Sequence, residues 1–348
     1  MRPTFSIIVF TVLSGTDYGA WFLLGLGSAV GPLCARPGTL DGMSLQLCAE
    51  PFGSTLGLLA GCVLVAGGLL ASLGHLGKPA RAWRALSQWR TSWLSREGVA
   101  ALLTFIPALL LLVPALALEF TLLGTSADPV APRWWMAPFW PQPLRSSIGL
   151  ALAAGALATL WSTAHIYASL KPVRAWRDRQ VVPGFLLLGL YGGALLLLAM
   201  DALDGMLIER DRTALLLGVV ALAGLGAWLK WRYWQAIDTL PALGAGRATG
   251  LEALGRVAAT EAPHSEENYL THEMGFVLAR KHAARLRRIT LMAGFVMPAL
   301  LAAAALAWPA LRPSLVWTAL LLATIGLLVE RWLFFAQARH AVMAYYGR

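Results

Sequence analysis

Charged side chains are scarce in this sequence of 348 residues: Asp, Glu, Lys and Arg make up 13% of it. That is about half the share found in soluble globular domains. Hydrophobic residues make up 58%. This balance excludes an ordinary water-soluble enzyme. The apolar residues instead form eight runs of about 20 residues, each long enough to cross a ~30 Å hydrocarbon core as a helix.

The sequence therefore predicts an all-α, polytopic membrane protein with one integral membrane domain over residues 1–348. The first apolar run is too long for a cleaved signal, and we expect it to be a retained helix. The longest stretch between runs, 236–288, is predicted to be a long cytoplasmic loop within the same domain. The predicted crossings are 5–29, 52–74, 97–119, 146–169, 181–203, 213–229, 289–308 and 314–335.

Cysteine is also scarce, with three residues in the chain. Because an iron–sulfur cluster usually takes four thiolates, we expect this chain to hold no such cluster alone. Any electrons it handles must then come from another protein. Cys34 and Cys48 share one predicted outward loop, where an oxidising compartment permits a disulfide, but their spacing leaves the pairing open. Cys62 is predicted to be a small buried hydrophobe.

Histidine is also rare, with six residues. A haem held by two histidines needs both at similar depth, and His75 and His165 form the one pair available, near matching ends of the second and fourth crossings. The other four lie in the long loop or the tail. We expect His165 to make an ordinary polar contact and this chain to bind no cofactor of its own.

Acidic residues are outnumbered, 18 against 28 Lys and Arg, and the basic residues are unevenly placed. Twenty-one of the 28 lie near the two termini and in 75–96, 170–180 and 230–288, the opposite loops hold six, and Arg331 lies inside the eighth predicted crossing. The positive-inside rule therefore predicts that both termini lie in the cytoplasm. Membrane sidedness accounts for the net charge of +10, so we expect lipid contacts and no nucleic-acid partner.

Two nearly identical segments follow the second and fourth predicted crossings. The first, 78–84, reads KPARAWR, and the second, 171–177, reads KPVRAWR. Because two crossings separate them, both copies should lie on one face of the membrane, as in a parallel repeat of two-helix units. Proline ends each helix, and Arg and Trp are typical of the headgroup layer. Plain membrane anchoring therefore stays open as an interpretation, above all for the second copy.

Ionisable residues surround the first copy. His75 precedes it and Glu97 follows at the start of the third crossing, with Lys78 and Arg81 between them. An imidazole and a partly shielded carboxylate can exchange protons near neutral pH, as quinone chemistry requires. Lys78 and Arg81 are candidates for stabilising a quinol anion or for binding a partner subunit. The alternative is that His75 and Glu97 simply interact with helix dipoles.

Asp17 lies near the middle of the first crossing, where a carboxylate costs ~2.5–3.5 kcal/mol on insertion scales. Ser14, Asp17, Tyr18 and Trp21 follow helical spacing, which predicts one polar face lining a pocket inside the bundle. Asp17 is therefore a candidate quinone-binding or proton-carrying residue. A structural hydrogen bond between helices is the alternative.

The run from Gly74 to Gly98 resembles the membrane anchor subunits of dimethyl sulfoxide reductase-type molybdoenzymes, including the related anchors of cytoplasm-facing sulfite dehydrogenase complexes. The resemblance rests on His75 and Glu97, the Pro-x-Arg-Ala turn and the Leu-Ser-x-Glu helix start between them. The layout of eight crossings and the Phe-Thr-Val opening at 10–12 extend it. In that family, the histidine and glutamate at these two places are implicated in quinol binding.

The resemblance implies an anchor that catalyses nothing alone and serves an oxidoreductase complex. Such an anchor exchanges electrons between menaquinone or ubiquinone and a four-cluster, ferredoxin-like iron–sulfur subunit, which serves a molybdopterin catalytic subunit. The clusters and the molybdopterin lie in those partners. The implied location is the bacterial cytoplasmic membrane. A sulfite-oxidising complex that sends electrons to quinone is an equally natural member of this group.

Two questions stay open at this level. A secondary transporter is the rival of another class, and it predicts matching Gly or Pro breaks in both halves. Pro107 and Pro114 interrupt the third crossing without an equivalent pair in the fifth. Residues 265–288 begin with capping residues and end in a basic cluster, which suits either lipid headgroups or a docked subunit.

Overall fold

The structure is a computed structural model that describes residues 4–30, 37–40, 43–46, 55–73, 78–124, 140–205, 207–241, 244–255, 257, 260–261 and 282–346. Helices dominate these residues, and seven are long and apolar enough to cross a membrane. A shorter apolar helix, α2, occupies the place of the second predicted crossing. The helices are α1 (Phe5–Val30), α2 (Thr55–Leu73), α3 (Trp93–Gly124), α4 (Gln142–Ala168), α5 (Val181–Asp204), α6 (Glu209–Asp238), α7 (Ala245–Thr249), α8 (Ala283–Leu291), α9 (Met297–Ala307) and α10 (Arg312–Ala336).

Shorter elements connect them. A π-helical turn, Met292–Val296, joins α8 to α9 so that the two form one crossing. A hairpin pairs β1 (Pro37–Leu40) antiparallel with β2 (Met43–Gln46). The 3-10 helices are Pro79–Leu86, Arg174–Arg177, Glu252–Leu254, Pro309–Leu311 and Ala341–Tyr346. The prediction of an all-α polytopic membrane protein is confirmed, whereas the two-helix internal repeat stays a prediction.

Several helix ends differ from the predicted crossings, and two of the differences concern ionisable residues. Helix α6 was predicted over 213–229 but runs from Glu209 to Asp238, so Lys230 lies inside it rather than in a loop. Helix α3 begins at Trp93, which places Glu97 in its second turn rather than its first. Hydropathy ends a predicted crossing at a charge, but a helix continues past one when another helix supplies a partner for it.

Helix α1 is the centre of the bundle and packs chiefly against α4 and α5. Glycine residues allow α1 to approach both helices closely. A Cβ added at Gly19 would overlap the Gly189 backbone of α5, and one added at Gly25 would overlap the Gly149 carbonyl of α4. Small residues allow such close backbone approach between membrane helices, where dispersion contacts replace the hydrophobic effect as the source of attraction.

A second hydrophobic core lies at the end of the bundle where the basic residues collect. It forms around Trp176, whose indole nitrogen donates to the Phe334 carbonyl at 3.1 Å. Trp176 is 3% exposed, whereas its counterpart Trp83 in the first copy of the motif is 66% exposed. The headgroup interpretation is therefore wrong for Trp176, because its ring fills a protein core.

Ion pairs hold the opposite end of the bundle. Arg212 binds Asp201 at 2.5 Å and Glu209 at 2.7 Å, and Arg312 binds Glu209 at 2.8 Å. Asp201 also accepts from the Leu207 backbone N–H at 2.7 Å. Two of the six basic residues on this side are therefore neutralised by local carboxylates.

Candidate functional site

Glu97 is a buried carboxylate held between two helices. It is the fifth residue of α3 and is 8% exposed. Its Oε1 atom lies 2.5 Å from the Thr163 hydroxyl of α4. A simple interaction with the dipole of its own helix does not account for this arrangement, because the group is turned inward onto a neighbouring helix. Glu97 therefore lies in the protein interior near one membrane edge.

The hydroxyl of Thr163 has two acceptors for one proton. It lies 2.5 Å from Glu97 and 3.0 Å from the Thr159 carbonyl oxygen. An ionised Glu97 accepts the hydroxyl proton. A protonated Glu97 can instead donate its own proton to Thr163, which then donates to Thr159. The pair consequently accommodates both protonation states of Glu97 without moving a helix.

Thr163 is one of the residues that line a small cavity between α1, α4, α5 and α10. Arg331 and Tyr18 both line it, and the hydroxyls of Thr11 and Ser14 add acceptor atoms. Among the described residues, neither the Arg331 Nη1 atom nor the Tyr18 hydroxyl has a hydrogen-bond partner. The lining residues are Thr11, Val12, Ser14, Gly15, Thr16, Tyr18, Leu160, Thr163, Phe185, Leu188, Gly189, Leu327 and Arg331.

Arg331, which lines this cavity, belongs to a cluster of three buried charged residues. Lys230 of α6 forms an ion pair with Glu330 of α10, and Arg331 Nε lies 3.2 Å from the other oxygen of Glu330. Their exposed fractions are 5%, 2% and 4%. The Arg331 guanidinium also stacks on Phe185, 3.7 Å from the ring centroid. With two cations and one carboxylate, the cluster has a net positive charge when all three groups are ionised.

This cluster was not predicted from the sequence. Glu330 and Arg331 lie inside the predicted eighth crossing, and Lys230 lies one residue beyond the predicted sixth. An adjacent acid and base within an apolar run are the signal that marks them, because ionisable residues in a membrane segment are usually functional. Their pairing with Lys230 depends on the packing of α6 against α10, which the spacing along the chain does not reveal.

These groups lie at similar depth. Glu97 and Phe185 are four residues from the starts of α3 and α5, and Thr163 and Arg331 are five residues from the ends of α4 and α10. Each is therefore ~6–8 Å from its helix end. The start of α3, the end of α4 and the start of α5 adjoin the basic segments 78–96 and 170–180, and α10 ends at the C-terminal tail. The whole arrangement therefore belongs to the side rich in Lys and Arg.

Asp17 is wholly buried, at 0% exposure. Ser14, Tyr18 and Trp21 are buried with it, which confirms that this face of α1 points into the bundle. Neither carboxylate oxygen of Asp17 has a hydrogen-bond partner among the described residues. Tyr18 and Ser14 line the cavity, and Asp17 does not. Two residues of the expected polar face, Ser14 and Tyr18, therefore line the cavity, whereas Asp17 is buried elsewhere in the bundle.

The remaining candidates lie apart from Glu97 or outside the described residues. Lys78 and Arg81 are exposed, at the start of the 3-10 helix Pro79–Leu86. Within the part of the chain that the structure describes, no ion pair joins either of them to Glu97. His75, Cys34 and Cys48 lie outside the described residues. Of the candidates, Glu97 and Asp17 are thus the two found inside the bundle.

The connection that carries Lys78 and Arg81 is fixed to α3. Arg96 donates to the Trp89 carbonyl at 3.0 Å and to the Arg90 carbonyl at 2.6 Å. Its guanidinium also stacks on Trp93, 4.4 Å from the ring centroid. Ser95 donates to the Ala85 carbonyl. These bonds bring the first copy of the motif against the helix start that carries Glu97.

His165 makes the ordinary contacts expected of it. Its ring lies 4.5 Å from Trp93 and 4.6 Å from Trp161, measured between centroids. Its Nδ1 atom lies 2.9 Å from the Trp161 carbonyl oxygen. Within the described residues, no group of three or more His, Cys, Asp or Glu side chains is placed to hold a metal ion.

Comparison with known proteins gives two matches. Residues 1–122 match the family described as DMSO reductase anchor subunit (DmsC). The whole chain is similar to the C subunit of the sulfite dehydrogenase of Allochromatium vinosum, with 30% identity over 361 aligned positions. That alignment covers 99% of this chain and 99% of the relative. The matched segment 1–122 contains Asp17 and Glu97, and the full-length match includes Thr163 and the Lys230 cluster.

Proposed function

This chain belongs to the family of DMSO reductase anchor subunits, and from that premise we propose that it is the quinone-reactive membrane subunit of a molybdopterin and iron–sulfur oxidoreductase. The observation that carries the proposal is Glu97, a buried carboxylate bonded to Thr163 near the basic edge of the bundle. A proton-exchanging group at this position is what the reaction of a lipid-soluble quinone needs.

We infer that electrons pass through partner subunits. Three cysteines are too few for a four-thiolate cluster, so a ferredoxin-like iron–sulfur subunit and a molybdopterin catalytic subunit are the proposed partners. The quinone, menaquinone or ubiquinone, is an exchangeable substrate. We place the partners on the cytoplasmic side, because the excess of Lys and Arg marks that face.

The excess of Lys and Arg on one side also supports a location for the protein. Both termini lie on the basic side if all eight apolar helices cross the membrane, since an even number of crossings returns the chain to its starting side. We therefore propose a multi-pass protein of the bacterial cytoplasmic membrane with both termini cytoplasmic. A reporter fused after Arg348 should read as cytoplasmic.

The full-length relative supports a direction of electron flow. Because that relative is a sulfite dehydrogenase subunit, we propose that the complex oxidises sulfite and reduces quinone. The family match at 1–122 favours the second candidate, a complex of the DMSO reductase type that oxidises quinol. Quinone reductase activity driven by sulfite in membranes containing the complex would distinguish the two directions.

The proposed chemistry assigns protons to this chain and electrons to its partners. Reduction of a quinone consumes two electrons and two protons, and Glu97 with His75 would supply or relay the protons at the membrane edge. Lys78 and Arg81 lie on the exposed segment that precedes α3, where a cation can stabilise a quinone oxygen as negative charge develops. Asp17 would act deeper in the bundle.

Replacing Glu97 with Gln tests the proposal. The variant keeps the size of the side chain and the contact with Thr163 but cannot exchange a proton. We expect quinone-coupled turnover of the purified complex to fall by about 10²–10⁴-fold, the usual contribution of a positioned acid or base. Activity with an artificial dye, which bypasses the anchor, should be unchanged.

The matched control is Glu252→Gln, which changes an exposed carboxylate in the connection after α7. It should leave both activities unchanged. Wild-type levels of quinone coupling in Glu97→Gln would remove Glu97 from the reaction. Failure of the wild-type complex to couple to any quinone would contradict the proposed function itself.

A further inference from the structure

The Lys230–Glu330–Arg331 cluster has no part in the function proposed so far. Two cations share one carboxylate in a part of the protein where each charge is at least 95% buried. Burying an uncompensated charge is costly even in a water-soluble protein, and more so within a membrane. The excess positive charge therefore calls for a negative or strongly polar counterpart nearby.

The cavity is the place where a polar counterpart to this excess positive charge can lie. Arg331 and Tyr18 both line the cavity, and among the described residues neither the Arg331 Nη1 atom nor the Tyr18 hydroxyl has a hydrogen-bond partner. The cavity is large enough for a water molecule and too small for a quinone ring. It offers two donors and several hydroxyl acceptors, which is the environment that a buried water needs. We take water as its occupant.

Thr163 connects this cavity to Glu97. Its hydroxyl lies 2.5 Å from the carboxylate, and Thr163 is one of the residues that line the cavity. A hydroxyl can pass a proton in either direction by donating its own and accepting another. Glu97 is thus one hydroxyl away from the cavity, and Arg331 lines the same cavity from α10.

We propose that this cavity is a hydrated proton-exchange site for Glu97, and that Arg331 supplies the counter-charge when Glu97 is ionised. In the exchange step, Glu97 gives its proton to the Thr163 oxygen while Thr163 gives its own proton to the cavity water, so that two O–H bonds break and two form. The cavity water then passes its extra proton to solvent water and returns to its neutral state. The guanidinium then stabilises the carboxylate through the polarised water. This proposal rests on the proposed function for its purpose.

Removing the Thr163 hydroxyl tests the route directly. Thr163→Val keeps the shape of the side chain and deletes the hydroxyl. The measurement is the rate of hydrogen–deuterium exchange at the Glu97 carboxyl. Infrared spectroscopy of the whole complex in lipid nanodiscs monitors this exchange, and the Glu97 band is identified because it is absent in Glu97→Gln. We expect exchange to slow by at least about tenfold, and quinone-coupled turnover to fall with it.

Thr104→Val is the matched control. Thr104 is buried on the same helix as Glu97, and its hydroxyl donates to the Ala100 carbonyl of its own helix at 2.7 Å. It does not line the cavity. This variant should exchange at the wild-type rate. Thr163→Ser, which retains the hydroxyl, should restore most of the exchange lost in Thr163→Val.

The outcomes separate this inference from the proposed function. Wild-type exchange at Glu97 in Thr163→Val, together with wild-type quinone turnover, would overturn the route and leave the quinone function standing. Slowed exchange in a complex that never couples to quinone would support the route and contradict the function. If Thr163→Val fails to assemble, Thr163→Ala removes the same hydroxyl and is measured in the same way.

Discussion

At the scale of single residues, the sequence identified carboxylates but not their partners. Glu97 and Asp17 stand out because each is an acid within or beside an apolar run. Thr163 does not stand out, since threonine is common in membrane helices and usually bonds its own backbone. Its contact with Glu97 depends on how α3 packs against α4, which no spacing along the chain encodes.

Asp17 provides a prediction at this scale. Its carboxylate is fully buried and has no partner among the described residues, so nothing there offsets the cost of burying an ionisable group. On insertion scales that cost is ~2.5–3.5 kcal/mol. Asp17→Asn should therefore raise the thermal unfolding temperature of the detergent-purified protein by a few degrees.

Asp201→Asn is the comparison for Asp17→Asn. Asp201 is also buried, but it accepts bonds from Arg212 and from the Leu207 backbone. Its replacement should lower the unfolding temperature because Arg212 loses its partner. Equal losses of stability in the two variants would mean that Asp17 accepts a bond from a group beyond the described residues.

At the scale of helices and their connections, the two copies of one motif lie in different environments. Residues 78–84 and 171–177 are nearly identical, and each overlaps a 3-10 helix that follows an even-numbered helix. In the second copy the tryptophan enters a core of aromatic rings, whereas in the first it is exposed. The sequence therefore predicts the local conformation, and the surrounding helices determine whether the ring is buried.

This difference predicts unequal effects of one substitution. Trp176→Ala should lower the free energy of unfolding by about 3–5 kcal/mol, because it empties a packed site and removes the bond to the Phe334 carbonyl. Trp83→Ala should change it by less than about 0.5 kcal/mol, as surface substitutions do. Denaturation of each variant in detergent measures both. Equal effects would contradict the two environments.

Helix boundaries at this scale follow hydropathy at some crossings and extend past charged residues at others. The crossings at α1 and α5 begin at the predicted residues. Helix α6 extends nine residues past its predicted end at 229, because Lys230 finds Glu330 on α10 and the aromatic ring of Tyr233 5.1 Å away. A rule that ends a crossing at the first charge fails wherever two helices share an ion pair.

At the scale of the whole molecule, composition and charge placement predict the architecture. Low charge content and apolar runs indicate a membrane bundle, and the structure confirms one. The same sequence does not show that α1 is central, since that depends on glycine contacts with α4 and α5. The groups of the candidate site lie on one side of the bundle because α3, α4, α5 and α10 place them at similar depth.

The central claim is that a quinone reacts beside Glu97, at the edge rich in Lys and Arg. Photolabelling of the intact complex with an azidoquinone, followed by peptide mapping, measures this directly. We expect label in the peptides spanning 78–97, and we expect excess native quinone to remove it. Label confined to the opposite end of the bundle, around Asp204–Glu209, would contradict the claim.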